Sequence, residues 1–91
     1  MSGAPDTLKE EVKRALVESL RLPISVDEIG NGMSLFGEGL GLDSIDVLEL
    51  VLEMERRFGV SITDDETGQR VLRSVDTIAD FIVSERARKM A

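Results

Sequence analysis

The chain has 91 residues, of which 42% are apolar and 32% charged, and its formal net charge is −7. That length sets an expectation of one small domain, and an acidic surface repels phosphate, which argues against a nucleic-acid partner. With no cysteine and no histidine, there is no disulfide, no thiolate metal site and no imidazole to act as the usual general base; no apolar run approaches the ~20 residues of a membrane helix, so membrane insertion is not expected.

Thr7 followed by Glu10 reads as a capping box. Leu8, Val12, Ala15, Leu16 and Leu20 then recur at helical spacing, which predicts a first helix over 7–21, ended by Pro23. Residues 22–42 form a long connection with too many glycines for a helix. Its Ile24, Val26, Ile29, Leu35, Phe36, Leu40 and Leu42 predict that it packs down on the core, with one helical turn near Ser25–Ile29. Structureless loops this long are often functional.

Asp43 is a suitable N-cap for a second helix with Ser44 at its first position. Ile45, Leu48, Val51, Leu52 and the stretch from Met54 to Phe58 supply an apolar stripe that Val47 and Leu50 widen, with Asp46, Glu49, Glu53 and Glu55 on the other side. These apolar residues go nearly round the helix, so some must face solvent, and an exposed patch hints at a partner. Gly59 ends the helix. Val60-Ser61-Ile62 is an extended link, Thr63 or Asp64 caps a short third helix to about Leu72, and Ser74 caps a fourth that buries Val75, Ile78, Ala79, Ile82 and Val83. Arg86, Arg88 and Lys89 suit the dipole at its end. The expected fold is all-α: a small four-helix bundle, three helices longer and one short, with a long loop between the first two.

Charge is distributed unevenly. From Leu22 to Gln69 there are eleven acidic and two basic residues, against seven and nine in the remainder. The middle of the chain is a negative patch, and the partner expected for it is a protein with a basic surface. Within it, the run Gly39-Leu40-Gly41-Leu42-Asp43-Ser44-Ile45-Asp46-Val47-Leu48-Glu49-Leu50 places one hydroxyl at a helix start, after a glycine loop and before an acidic helix. A phosphodiester there would meet unpaired N–H groups and a favourable dipole.

Asp43-Ser44-Ile45, set in Gly-Leu-Asp-Ser and followed by Glu-Leu-Val-Leu-Glu-Met-Glu, resembles the phosphopantetheine attachment motif of acyl carrier proteins. The resemblance runs from about Leu8 to Ile82. It implies that a phosphopantetheinyl transferase places 4′-phosphopantetheine from coenzyme A on Ser44, and that the thiol of this arm carries an acyl group for enzymes of fatty-acid, lipid or polyketide-type synthesis. It implies ionic contacts to those enzymes through Asp43, Asp46, Glu49 and Glu55, apolar ones through Ile45 and Leu52, and core roles for Phe36, Phe58 and Ile62. In members that sequester their cargo, the acyl chain slides between the helices. The corresponding division is a flexible N-terminus over 1–6, a carrier domain over 7–86 and a tail over 87–91, in a cytoplasmic, monomeric, non-enzymatic protein. The cargo is left open among fatty acyl, polyketide, amino acid and D-alanine.

Arg56 and Arg57 depart from the resemblance, standing where carriers of fatty-acid synthesis are usually acidic, and Arg70 and Arg73 add positive charge further on. A specialised carrier with a restricted partner set is the expectation. The competing reading is an unmodified acidic helical module that docks on a basic partner. A serine hydrolase is disfavoured, because the lysines that could replace histidine as base lie only at positions 9, 13 and 89. Asp64-Asp65-Glu66 with Gly68 lacks the ligand alternation of a calcium loop.

Overall fold

In the computed structural model the backbone is described for residues 4–90 and the side chains for residues 4–88. The described residues form four α-helices and one turn of 3-10 helix, with no strand among them. Helix α1 spans Asp6–Leu20, α2 spans Ser44–Phe58, α3 spans Asp65–Val71 and α4 spans Val75–Met90. The four-helix bundle expected from the sequence is thus observed. Residues 1–3 and 91 of the expected termini lie outside the described residues; Asp6 is already helical and α4 continues through residue 87.

Helix α1 buries Leu8, Val12, Ala15 and Leu16 on one stripe. It starts one residue before the predicted 7, and Thr7 is not its cap. Pro5 occupies the cap position at φ −71° without a side-chain cap, and its carbonyl accepts from the N–H groups of Leu8 and Lys9 at 3.1 and 3.2 Å. The fixed φ of proline prepares the chain for helix, so the turn closes before Thr7. At the other end the stop comes before Pro23: Arg21 turns into the left-handed region at φ 51°, and the Leu22 N–H reaches the Val17 carbonyl at 3.1 Å.

The long connection is pinned at several points. Val26–Glu28 makes the expected single turn, closed by Ser25 and Glu28, whose carboxylate accepts from the Ser25 N–H at 2.8 Å. Ile29, Leu35 and Leu42 are buried, with Ile24, Met33, Phe36 and Leu40 packed partly beneath. The Leu35 N–H donates to the Arg73 carbonyl at 3.0 Å and the Asp76 N–H to the Asn31 carbonyl at 2.9 Å, which tie the loop to the start of α4. The Lys9 ammonium meets Asp76 at 3.1 Å from the α1 side. The last stretch folds on itself, Leu40 N–H to Ser34 carbonyl and Leu42 N–H to Leu35 carbonyl. A Cβ on Gly39 would land on the Ser34 carbonyl oxygen, so only glycine permits this close approach.

Helix α2 ends at Gly59, φ 71°, as anticipated. Of the two caps considered for α3, Asp64 is the one used: its carboxylate accepts from the Thr67 N–H at 2.7 Å and from the Thr67 hydroxyl at 3.1 Å. These bonds, the N–H first, hold the Asp64 carboxyl below its ordinary 3.8. Ser74 and Thr77 cap α4 reciprocally, and the Thr77 hydroxyl also donates to the Val71 carbonyl at 2.6 Å, joining α3 to α4. Val75, Ile78, Ala79 and Ile82 are fully buried.

Two outcomes follow from this packing. Gly39→Ala must push the loop away from Ser34 and costs about 1–3 kcal/mol of stability by the usual scale of overpacking; an unchanged thermal melting curve would contradict the geometry. Asp64 has a folded-state pKa lower than its unfolded one, so its stabilisation is present above the ordinary carboxylate pKa and lost as pH falls through the lowered value. Asp64→Ala therefore melts below the native chain at neutral pH, and the difference closes in acid below 3.8; calorimetry across that range checks it.

Candidate functional site

The start of α2 is built by two carboxylates. Asp43 Oδ1 accepts from the Asp46 N–H at 3.0 Å, and Asp46 Oδ2 accepts from the Asp43 N–H at 3.1 Å. Each side chain satisfies the other's backbone donor, which is the reciprocal cap that makes a helix begin at one defined residue. Asp43 was expected as the cap; Asp46 was expected on the polar side of the helix and as an ionic contact, and its reciprocal capping of Asp43 was not foreseen. Both residues are thus committed to the helix start before they meet any partner. Ser44, the first helical residue, is exposed, and its hydroxyl has no hydrogen bond among the described residues.

Beside it a cavity of about 640 Å³ opens between α2 and α3. Phe36, Leu42, Val47, Val51 and Ile62 line its apolar wall, and Ser44, Asp43, Thr63 and Gln69 contribute polar atoms to its edge. Gly68 of α3 also borders it, buried, where an added Cβ would lie 3.5 Å from the Ile62 side chain. The three core residues implied by the resemblance therefore separate. Phe58 is buried in the bundle beneath the Arg86 guanidinium, 5.9 Å from its ring centroid, whereas Phe36 and Ile62 are half-buried cavity walls.

The outer face of α2 shows which apolar residues the core does not take. Leu50 and Met54 are buried, Val47 and Val51 face the cavity, and Ile45, Leu48 and Leu52 are 67%, 66% and 66% exposed, Leu48 also bordering the cavity. Ile45 and Leu52 were expected on this face. Leu48 was not singled out, because one helix's periodicity cannot say which side of a nearly all-apolar circumference its neighbours cover. Each forgoes much of the about 1.5–3 kcal/mol that full burial gives, and a clustered exposed apolar patch of this kind is a candidate contact surface. Glu49 and Glu55 are exposed along its edges.

Glu53 departs from the solvated face predicted for it. It is 6% exposed, with Oε1 2.7 Å from Arg56 and Oε2 2.9 Å from Arg57. Arg57 extends to Glu18 of α1 at 2.8 Å, and this hydrogen bond, reinforced by Glu53, raises its pKa further above the usual guanidinium value. The signal available in the sequence was the spacing of three and four residues from Glu53 to the two arginines. Among the described residues no carboxylate group gathers into a site that could hold a metal ion.

A phosphopantetheine arm fits this arrangement. The hydroxyl is free and exposed, the first-turn N–H groups of Ser44 and Ile45 lie where no intrahelical acceptor exists, and an apolar cavity adjoins the attachment point. When bound, the arm supplies the thiol that the cysteine-free chain lacks.

The family described as phosphopantetheine attachment site matches residues 10–82. The acyl carrier protein of Nitratidesulfovibrio vulgaris strain DP4 is 36% identical over 80 residues, covering 88% of this chain and 99% of that protein. The acyl carrier protein of strain Miyazaki F is 36% identical over 73 residues, 80% of this chain and 91% of that one. The solution structure of a holo acyl carrier protein from Nitrosomonas europaea shares the fold with a TM-score of 0.73 at 24% identity, over 87% of this chain and 95% of that one. With most of its length matched in sequence and a free hydroxyl beside an apolar cavity at the centre of the match, the chain belongs to the acyl carrier protein family, whose acyl cargo rides on a covalent 4′-phosphopantetheine arm.

Proposed function

We propose that Ser44 is the residue that bears the arm and that α2 is the helix its partner enzymes grip. The observation that carries this reading is the exposed, unpartnered Ser44 hydroxyl at a defined helix start beside the cavity. A transferase reaches the hydroxyl, the phosphodiester sits against the free N–H groups of the first turn, and the acyl chain has an apolar place to shelter from water. An unmodified docking module would need the acidic and apolar face but neither the free hydroxyl nor the cavity.

The protein acts as a carrier rather than an enzyme. No histidine exists to activate Ser44, Lys9 is held by Asp76 at 3.1 Å, and Lys13 lies near Glu10 at 3.9 Å, both on α1. Its work is done as a cytoplasmic monomer handed between a phosphopantetheinyl transferase and acyl-loading and acyl-processing enzymes of fatty-acid, lipid or polyketide-type synthesis. Asp43, Asp46, Glu49 and Glu55 meet basic groups on those enzymes, and Ile45 and Leu52, with Leu48, fill an apolar slot. Fields of opposite sign speed such encounters. The two arginines of α2 favour a specialised role over service to many enzymes.

Intact-mass spectrometry after incubation with coenzyme A and a phosphopantetheinyl transferase tests the attachment site. The native chain gains one phosphopantetheine and Ser44→Ala gains none; modification of the Ala variant would move the site elsewhere. Glu49→Lys lowers kcat/KM for that modification by roughly fivefold, the scale of one exposed charge contact, with helical circular dichroism unchanged because the residue faces solvent. Loss of helicity in this variant would show that the face is misassigned.

A further inference from the structure

The exposed side of α2 is not acidic along its whole length. Ile45, Glu49, Leu52 and Arg56 succeed one another at steps of four, three and four residues, so they form one ridge. Arg56 closes that ridge with a side chain that is 82% exposed. Arg57, its neighbour in sequence, is spent on internal ion pairs to Glu53 and Glu18 and is only 33% exposed. The buried Glu53 carboxylate divides the pair: one oxygen binds Arg57 toward α1, and the other holds Arg56 at 2.7 Å while most of its guanidinium faces solvent. A rotamer-rich side chain is thereby held in place before any partner arrives.

We propose that Arg56 is a specificity-determining residue. It selects a partner enzyme whose docking patch is an apolar slot for Leu48 and Leu52, rimmed by Lys or Arg, with one carboxylate placed to meet Arg56. That carboxylate lies about 18 Å from the point where Ser44 is received, twelve helical residues away. The inference rests on the reading that Ser44 carries the arm and that α2 docks.

Charge complementarity carries the argument. Asp43, Asp46 and Glu49 near one end of α2 call for cations on the partner; at the other end exposed Glu55 calls for one as well, and the exposed Arg56 beside it repels any cation set opposite it. A patch that is basic throughout meets a like charge at its far edge, which is discrimination by repulsion rather than by added attraction. The opposite charges also give the ridge a direction. Docked in reverse, Arg56 would face the cations that suit Asp43 and Asp46, and that acidic end would face the carboxylate, which disfavours the reversed orientation.

The probe is a phosphopantetheinyl transferase whose docking patch carries only Lys and Arg. Its kcat/KM is measured for the native chain, Arg56→Gln and Arg56→Glu at low and at high salt. Arg56→Gln is expected to raise it about twofold and Arg56→Glu about fivefold, with both gains fading as salt screens the contact. Exchanging the transferase's basic residue at the Arg56 end of the patch for Glu should invert the order and favour the native chain. Arg56→Glu sets a second acid beside buried Glu53 and risks the fold; Arg56→Gln still donates a hydrogen bond to Glu53, so its result decides if the Glu variant loses helicity. Unchanged or lowered kcat/KM in folded variants at low salt overturns the inference and leaves the carrier reading standing. No modification of the native chain or either variant overturns both.

Discussion

Everything useful about this surface depends on where α2 begins, and that is decided by the mutual capping of Asp43 and Asp46. A helix start is a place where several N–H groups have no internal acceptor. Because two carboxylates answer the donors at positions 43 and 46, the residue between them that opens the helix is held outward with its hydroxyl free. The approach to this point is equally constrained. The loop from Ser34 to Leu42 closes over Gly39 without room for a side chain, and Leu35 anchors it to the backbone before α4. A flexible-looking, glycine-rich segment is therefore a packed mount for one serine.

Helix α2 divides its apolar residues among three environments. Leu50, Met54 and Phe58 belong to the core, Val47 and Val51 to the cavity wall, Ile45 and Leu52 to solvent, and Leu48, largely exposed, stands at the cavity's rim. A helix that served only stability would give polar residues to these exposed positions. The exposed leucines and isoleucine cost the free protein favourable burial and return it when a partner covers them, which suits brief, repeated docking. On the proposed reading the cavity wall plays the same part for cargo. Its aliphatic side chains and the bare Cα of Gly68 leave a space that water fills poorly and a hydrocarbon chain fills well.

Glu53 shows how a charge enters the interior of a small acidic protein. Both of its oxygens are paired, and the second guanidinium reaches across to Glu18, so the last turns of α1 and α2 are joined by a chain of alternating charge. Such an arrangement gains little over an apolar contact of similar shape but is costly to break at one member. Its consequence is positional: one arginine is held between Glu53 and Glu18, and the other is left standing on the exposed face of α2.

The one-dimensional pattern determined a great deal. Helical spacing, glycine stops and capping residues placed four helices and the long connection, and the run from Gly39 to Leu50 singled out Ser44 as the proposed attachment residue, because these features are local and depend on a few neighbouring residues. The cap of α1 was misread since two local signals competed and Pro5 took the place expected of Thr7. Only tertiary structure decided which side of α2 its neighbours cover, and hence that Leu48 is exposed and Glu53 buried. It alone separated Phe58 in the core from Phe36 and Ile62 at a cavity, and distinguished two adjacent arginines that look alike in sequence. Burial and ion pairing are set by residues far apart along the chain, such as Glu18 and Arg57, and no periodicity within one helix contains that information.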